Sequence, residues 1–87
     1  MRKSILKVSI RQIKAARALL NWSQEQLAHA AGISIPTIKR LEAQDGQLGG
    51  REETAMRILG SMRAAGIEFI DENGDGLGVR LKKPARK

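Results

Sequence analysis

Gln24 to Ala43 reads QEQLAHAAGISIPTIKRLEA, and the placement of its small, apolar and glycine residues decides the fold. Leu27, Ala31, Ile38 and Leu41 recur at helical intervals on either side of Gly32, so each half of the stretch carries one apolar stripe to bury. Ala28 is small where two helix axes crossing over a short connection must approach closely. Gly32 reaches positive φ at little cost, as the turn between the two halves demands. The stretch therefore predicts two short helices meeting at an angle across a tight turn.

Working outward, helix starts are written three times in the same way. An apolar residue precedes a serine, and a second apolar residue follows four positions after it: Val8-Ser9 with Ile13, Trp22-Ser23 with Leu27, Ile33-Ser34 with Ile38. The serine oxygen accepts from an otherwise orphaned first-turn N–H, and the flanking apolar pair closes over it as a hydrophobic staple. Gln12 and Gln26 stand three residues after the first two serines and complete capping boxes. At the third start Pro36 disfavours helical backbone at Ile35, so that helix begins at Ile35 or one residue later.

These signals predict a first helix over about Ile10–Leu20, with Ile13, Ala16, Leu19 and Leu20 facing inward, and a second over about Gln24–Ala31. The third runs over about Ile35–Gln44 and is closed by Asp45-Gly46 and the glycine-rich stretch to Gly50. A fourth spans about Arg51–Ala65 with Ala55, Ile58, Leu59 and Met62 as its buried stripe. Its early Glu52 and Glu53 and later Arg57 and Arg63 agree with the helix dipole, and Gly66 suits the position just past its end.

Beyond Gly66 the period falls to two. Ile67–Ile70 and Leu77–Lys82 flank Asp71-Glu72-Asn73-Gly74-Asp75-Gly76, whose Asn-Gly is a strong turn signal, and the segment reads as a β-hairpin. Ile67 and Phe69 share one face of the first strand; Leu77, Val79 and Leu81 share one face of the second. Two strands alone are marginal in water and leave both edges open. These five residues are therefore the expected dimerisation surface, with packing inside the chain as the alternative. The chain divides into residues 1–8, a basic arm or a short strand; residues 9–66, the helical domain around 24–43; residues 67–83, the hairpin; and residues 84–87, a basic tail.

Composition bounds the function. Eighty-seven residues suffice for one small core. The formal charge of +7 is concentrated at the ends: Arg2, Lys3, Lys7, Arg11, Lys14 and Arg17 precede the first acid, Glu25, and Arg80, Lys82, Lys83, Arg86 and Lys87 follow the last, Asp75. A polyanionic partner is expected. With no cysteine there is no disulfide framework, thiolate metal site or cysteine nucleophile. No apolar run has the length of a signal peptide core or a membrane span, so a cytoplasmic protein without a membrane partner is expected. No cofactor or metal is expected either. His29 is a lone histidine with no partners for ligation or catalysis. The loop from Asp71 imitates the opening of a calcium loop, but its twelfth position is Lys82 where a bidentate glutamate is needed. Gly46, Gly49 and Gly50 lack the lysine and hydroxyl pair of a phosphate-binding loop. An enzyme is not expected.

In the positions of Gln24, Ala28, Gly32, Ile33, Ile38, Leu41 and Glu42, the chain resembles the Cro/repressor (Xre-type) helix-turn-helix family. The resemblance covers about residues 10–65 and implies a mainly α, four-helix, lambda-repressor-like domain; the C-terminal β-hairpin departs from the further helix of better-known members. It implies double-stranded DNA as partner, with the third helix in the major groove. Ser34, Ile35, Pro36, Thr37 and Arg40 then fall on base-facing positions, Arg40 being suited to guanine O6 and N7. Ile35 and Pro36 depart from the polar residues often found there and suit thymine-methyl contact or shape readout. Gln24 and Lys39 fall on phosphate-facing positions, and Lys3 and Lys7 of the arm are expected on the backbone as well. Arg17 and Glu42 take the places of an ion pair that ties the first helix to the end of the third. The implied function is a bacterial or phage transcriptional regulator. A homodimeric repressor or autoregulator on a palindromic operator, nucleoid-associated and with room for a regulatory protein partner, is its plainest form. The rival is a protein-interaction module, an antitoxin or antiactivator with DNA binding secondary. RNA is disfavoured because Trp22 and Phe69, the only aromatics, make no stacking platform.

Overall fold

The first three helices begin where a serine caps them. In the computed structural model, which describes residues 7–72 and 74–82, α1 (Ile10–Leu20), α2 (Gln24–Ala31) and α3 (Ile35–Glu42) follow Ser9, Ser23 and Ser34. The Ser9 Oγ accepts from the Gln12 N–H at 3.0 Å while the Gln12 Oε1 accepts from the Ser9 N–H at 2.9 Å. Ser23 and Gln26 repeat the arrangement at 3.0 and 2.7 Å. Ser34 caps α3 through the Thr37 N–H, with Pro36 inside the first turn, where its missing donor costs nothing. α4 (Glu52–Ala64) starts from Arg51 without a side-chain cap, its first turn acidic instead. Gly32 closes α2 at φ 70°, and its N–H reaches back to the Ala28 and His29 carbonyls. The turn that joins α2 to α3 is thus built as its sequence requires.

The four apolar stripes converge on one core, in which Ile13, Leu27, Ile38, Leu41, Ile58, Leu59 and Met62 are at most 2% exposed. Trp22 and Ile33 lean on it beside the helix starts they precede. Leu19 is a correction: it stands 45% exposed, because at about 100° per residue it lies roughly 120° around α1 from Ile13, while Ala16 and Leu20 stay close to that meridian. α3 is a second one, ending at Glu42 rather than Gln44. The following residues are drawn into other bonds: Gly46 turns at φ 80°, its carbonyl accepts from the Ile10 N–H at 2.8 Å, and the Leu48 N–H donates to the Val8 carbonyl at 2.7 Å. Val8 and Leu48 are both buried there. Lys3 and the tail at 84–87 lie outside the described residues. No helix among the described residues is long and apolar enough to cross a membrane.

The chain then forms the hairpin, β1 (Ile67–Ile70) antiparallel to β2 (Gly78–Leu81), with Ile67 opposite Leu81 and Phe69 opposite Val79. The connection is residues 71–77, longer than a two-residue turn, with Gly74 and Gly76 at φ 106° and 100°. Ile67 enters the core of its own chain at 2% exposure, and Phe69 and Val79 pack against that core. The hairpin is therefore docked within the chain, over α1 and the end of α4, leaving Leu77 at 51% and Leu81 at 40% exposure. Arg63 of α4 stands 5.5 Å above the Phe69 ring, a cation–π contact that helps hold β1.

Gln12 makes the joint. Besides completing the capping box, its buried side chain donates through Nε2 to the Ile70 and Gly78 carbonyls at 3.2 and 2.9 Å. One amide thus satisfies a helix start and clasps both strands. Gln12→Ala removes three side-chain hydrogen bonds at a buried position, the one accepted from the Ser9 N–H and the two donated to the hairpin, so a loss of about 2 kcal/mol is expected. Gln26→Ala, which breaks the exposed capping box only, should cost about 1 kcal/mol or less. Thermal unfolding of the two variants checks this; equal losses would mean that the clasp on the hairpin contributes nothing.

Candidate nucleic-acid interface

α3 presents two unlike faces. Ile38, Leu41 and Glu42 point into the domain, and Ser34, Pro36, Lys39 and Arg40 are exposed with Thr37 half-buried between them. Thr37 and Arg40 are one helical turn apart, so with Pro36 they share the outward surface. Lys39 and Arg40 have no ion-pair or hydrogen-bond partner among the described residues. Ser34 and Thr37 are tied to one another by a 2.8 Å hydroxyl contact. Ile35 is half-buried and leans on the core, so only part of its side chain faces outward.

The orientation of α3 is set from behind by a buried polar cluster. The Arg17 guanidinium donates from Nε to Glu42 Oε2 at 2.8 Å and from Nη2 to Glu42 Oε1 at 2.7 Å, while Nη1 donates to the Trp22 carbonyl at 2.9 Å. Gln24 Nε2 adds a bond to Glu42 Oε1 at 2.9 Å. The side chains of Arg17 and Glu42 are 20% and 5% exposed. α1, α2 and α3 thus meet on one carboxylate, and the α1–α2 connection is tied in through the Arg17 guanidinium. Burial alone pushes the Glu42 carboxyl up, but the bonds from Arg17 and Gln24 together with the nearby positive charge outweigh it and hold it below the usual carboxylate range. The bond to Glu42 correspondingly raises Arg17. Gln24, expected on a phosphate, stands at the first turn of α2 and donates one amide N–H to Glu42.

On the other side, Arg57 of α4 donates to the Gly32 carbonyl at 3.4 Å and pairs with Glu53 at 3.1 Å, bracing the α2–α3 turn. Between α3 and the start of α4 lies a polar cleft of about 320 Å³ lined by Thr37, Arg40, Leu41, Gly50, Arg51 and Thr54. Arg51 was not singled out in the sequence, where Glu52 and Glu53 beside it mask its charge; the fold brings it to Arg40 because Gly50, at φ 83°, turns the chain back against Leu41. Lys7 is exposed beside Val8, at the α3–α4 connection.

Such a surface, a helix N-terminus with hydroxyls and flanked by unpaired cations, carries donors for phosphate oxygens and for base edges. Residues 13–49 match a family model described as Helix-turn-helix, which takes in most of α1, all of α2 and α3, and the connection as far as Gly49. No curated protein matches the chain.

Proposed function

We propose that this chain, which belongs to the Xre/Cro-type helix-turn-helix family through residues 13–49, is a sequence-specific transcriptional regulator that inserts α3 into the major groove of a palindromic operator as a homodimer. The observation that carries the reading is the fixed outward face of α3, with Pro36, Thr37 and Arg40 displayed and the Arg17–Glu42–Gln24 cluster behind them. A recognition helix must be held rigidly for base contacts to discriminate. Ser34 and Thr37 stand at its N-terminal end, which enters the groove first. Lys39, Arg51 and Lys7 are exposed cations suited to the flanking backbone; Lys3 extends that set in sequence. Repression or autoregulation by occupying a promoter is the simplest action for such a protein, located with the nucleoid in the cytoplasm.

Selection from a random duplex pool tests this directly. A palindromic consensus is expected, with half-sites about one helical turn, roughly 34 Å, apart. Arg40→Ala should then reduce discrimination at one base pair per half-site by about 1 to 3 kcal/mol. Unchanged preference at every position would remove Arg40 from base readout. A chain that enriches no sequence and instead emerges from its cells in a stable complex with another protein would favour the antitoxin or antiactivator reading.

A further inference from the structure

The hairpin's second strand has an edge that no described residue pairs with. The Lys82 N–H donates to the Gly66 carbonyl at 2.9 Å, and Arg80 and Gly78 lie opposite Glu68 and Ile70 in the same ladder. Hydrogen-bonded pairs alternate along an antiparallel ladder, so Val79 and Leu81 turn their N–H and C=O groups away from β1. No described residue bonds to those groups. Alongside them runs an open groove of about 540 Å³, with Arg11, Gln12 and Ala15 of α1 on one wall and Leu77, Gly78 and Val79 on the other. Leu77, just before the strand, and Leu81, at its end, are two of the most exposed large apolar side chains and flank Val79.

We infer that the β2 edge pairs antiparallel with the β2 edge of a second copy, with Val79 opposite Val79 on the two-fold axis; the inference rests on the homodimer proposed above and names its interface. The sequence of the strand selects this register. Centred on Val79, the pairing sets each Leu77 opposite the other copy's Leu81 and each Arg80 opposite Gly78, where no side chain competes for its space. Acidic Glu72 and Asp75, in the loop before the strand, come to the end of the partner's strand that carries Lys82. Centring on Arg80 would oppose two guanidinium groups. Centring on Leu81 would set Arg80 against Lys82, and centring on Gly78 would set Leu81 against Asp75; each of these mispairs like charges or buries a carboxylate against leucine. The chosen register joins the two hairpins into a four-stranded sheet, satisfies the outward backbone groups of both edges and continues the apolar face of Val79 through the two leucines.

Because the chain has no cysteine, cross-linking reads the register without background. In this register Leu77 and Leu81 of opposite copies have Cα atoms about 5.5 Å apart, within disulfide reach, whereas each residue is more than about 13 Å from its own counterpart. Full-length Leu77→Cys and Leu81→Cys chains, both altered at exposed positions, are oxidised separately and as an equilibrated mixture, with Arg80→Cys as a register control and sedimentation of the unmodified chain in parallel. The mixture should give several times more disulfide dimer than either chain alone, and R80C should stay largely monomeric on a denaturing gel. A chain that sediments as a dimer but whose mixture does not cross-link, or whose R80C links to itself, overturns this interface and leaves the homodimer standing. A monomer both free and on operator DNA overturns the homodimer and the interface together.

Discussion

Raising the salt concentration from about 50 to about 200 mM should weaken duplex binding on the order of a thousandfold, if roughly six phosphates are neutralised in each complex. The expectation comes from the distribution of charge. The chain carries +7, and Lys39, Arg40, Arg51 and Lys7 are exposed on or beside α3 and its following connection. Each cation that meets a phosphate releases condensed counterions, so the logarithm of affinity falls linearly with the logarithm of salt at a slope of about −0.9 per phosphate. The measurement is a fluorescence titration of one operator at four or five salt concentrations. A slope near zero would mean that the basic surface does not face DNA. Replacing Arg51 by alanine should reduce the slope by about one per chain engaged and weaken all sequences alike, since a backbone contact carries no base information. Loss of discrimination at a single base pair in that variant would place Arg51 in the groove instead.

The largest effect on stability is expected from Arg17→Ala. The carboxylate of Glu42 is 5% exposed, and Arg17 supplies two of the three hydrogen bonds it receives. Removing one side of a buried pair leaves a charge with its desolvation uncompensated, a loss of about 3 to 5 kcal/mol. The lower figure is expected here, because Arg17 retains 20% exposure and water can follow its removal. In a domain of this size that corresponds to a fall in melting temperature of more than about 10 °C. Operator affinity at a temperature where the variant is still folded should fall as well, because the same cluster orients α3.

In the intact chain the Glu42 carboxyl is held below the usual carboxylate range, so it binds protons less readily folded than unfolded. Its stabilisation is complete well above that range, declines as the pH falls through about 4 and is gone once the folded carboxyl is itself protonated. In the Arg17→Ala protein the main opposing bonds are lost and burial pushes the same carboxyl up, so acid now favours the folded form at this site. The difference in melting temperature between the two proteins should therefore narrow as the pH is lowered from 7 towards about 4. A difference that stays constant across that range would mean that Glu42 is not charged behind α3.

Much of this molecule was legible because its determinants are local. A cap couples a serine to an N–H three residues away, a staple couples positions five apart, and a turn needs one backbone conformation; Ser9, Ser23, Ser34 and Gly32 accordingly placed α1, α2 and α3 to within a residue at their starts. Period determined what lay inside α4 for the same reason, and the switch from period 3.6 to 2 after Gly66 located the hairpin. The outward residues of α3 were named by the family resemblance, and the buried Ile38 and Leu41 on its opposite side agree with that phase.

What depended on distant partners was decided by tertiary structure alone. Gln12 looked complete as a capping residue, yet its amide closes on carbonyls 58 and 66 positions away. The bond from Gln24 to Glu42 joins residues 18 positions apart, and Arg51 acquired a place beside Arg40 only when Gly50 turned the chain. The hairpin shows the division most clearly. Alternation of apolar residues specified that one face must be buried, and it is equally satisfied by a neighbouring helix or by another chain. Docking on α1 and α4 chose the first for Ile67, Phe69 and Val79, because their side chains reach the core there, and left Leu77, Leu81 and the backbone edge of β2 unspent. Local hydrogen bonding and periodicity are properties of short stretches of chain; which surfaces meet depends on the packing of all of them at once.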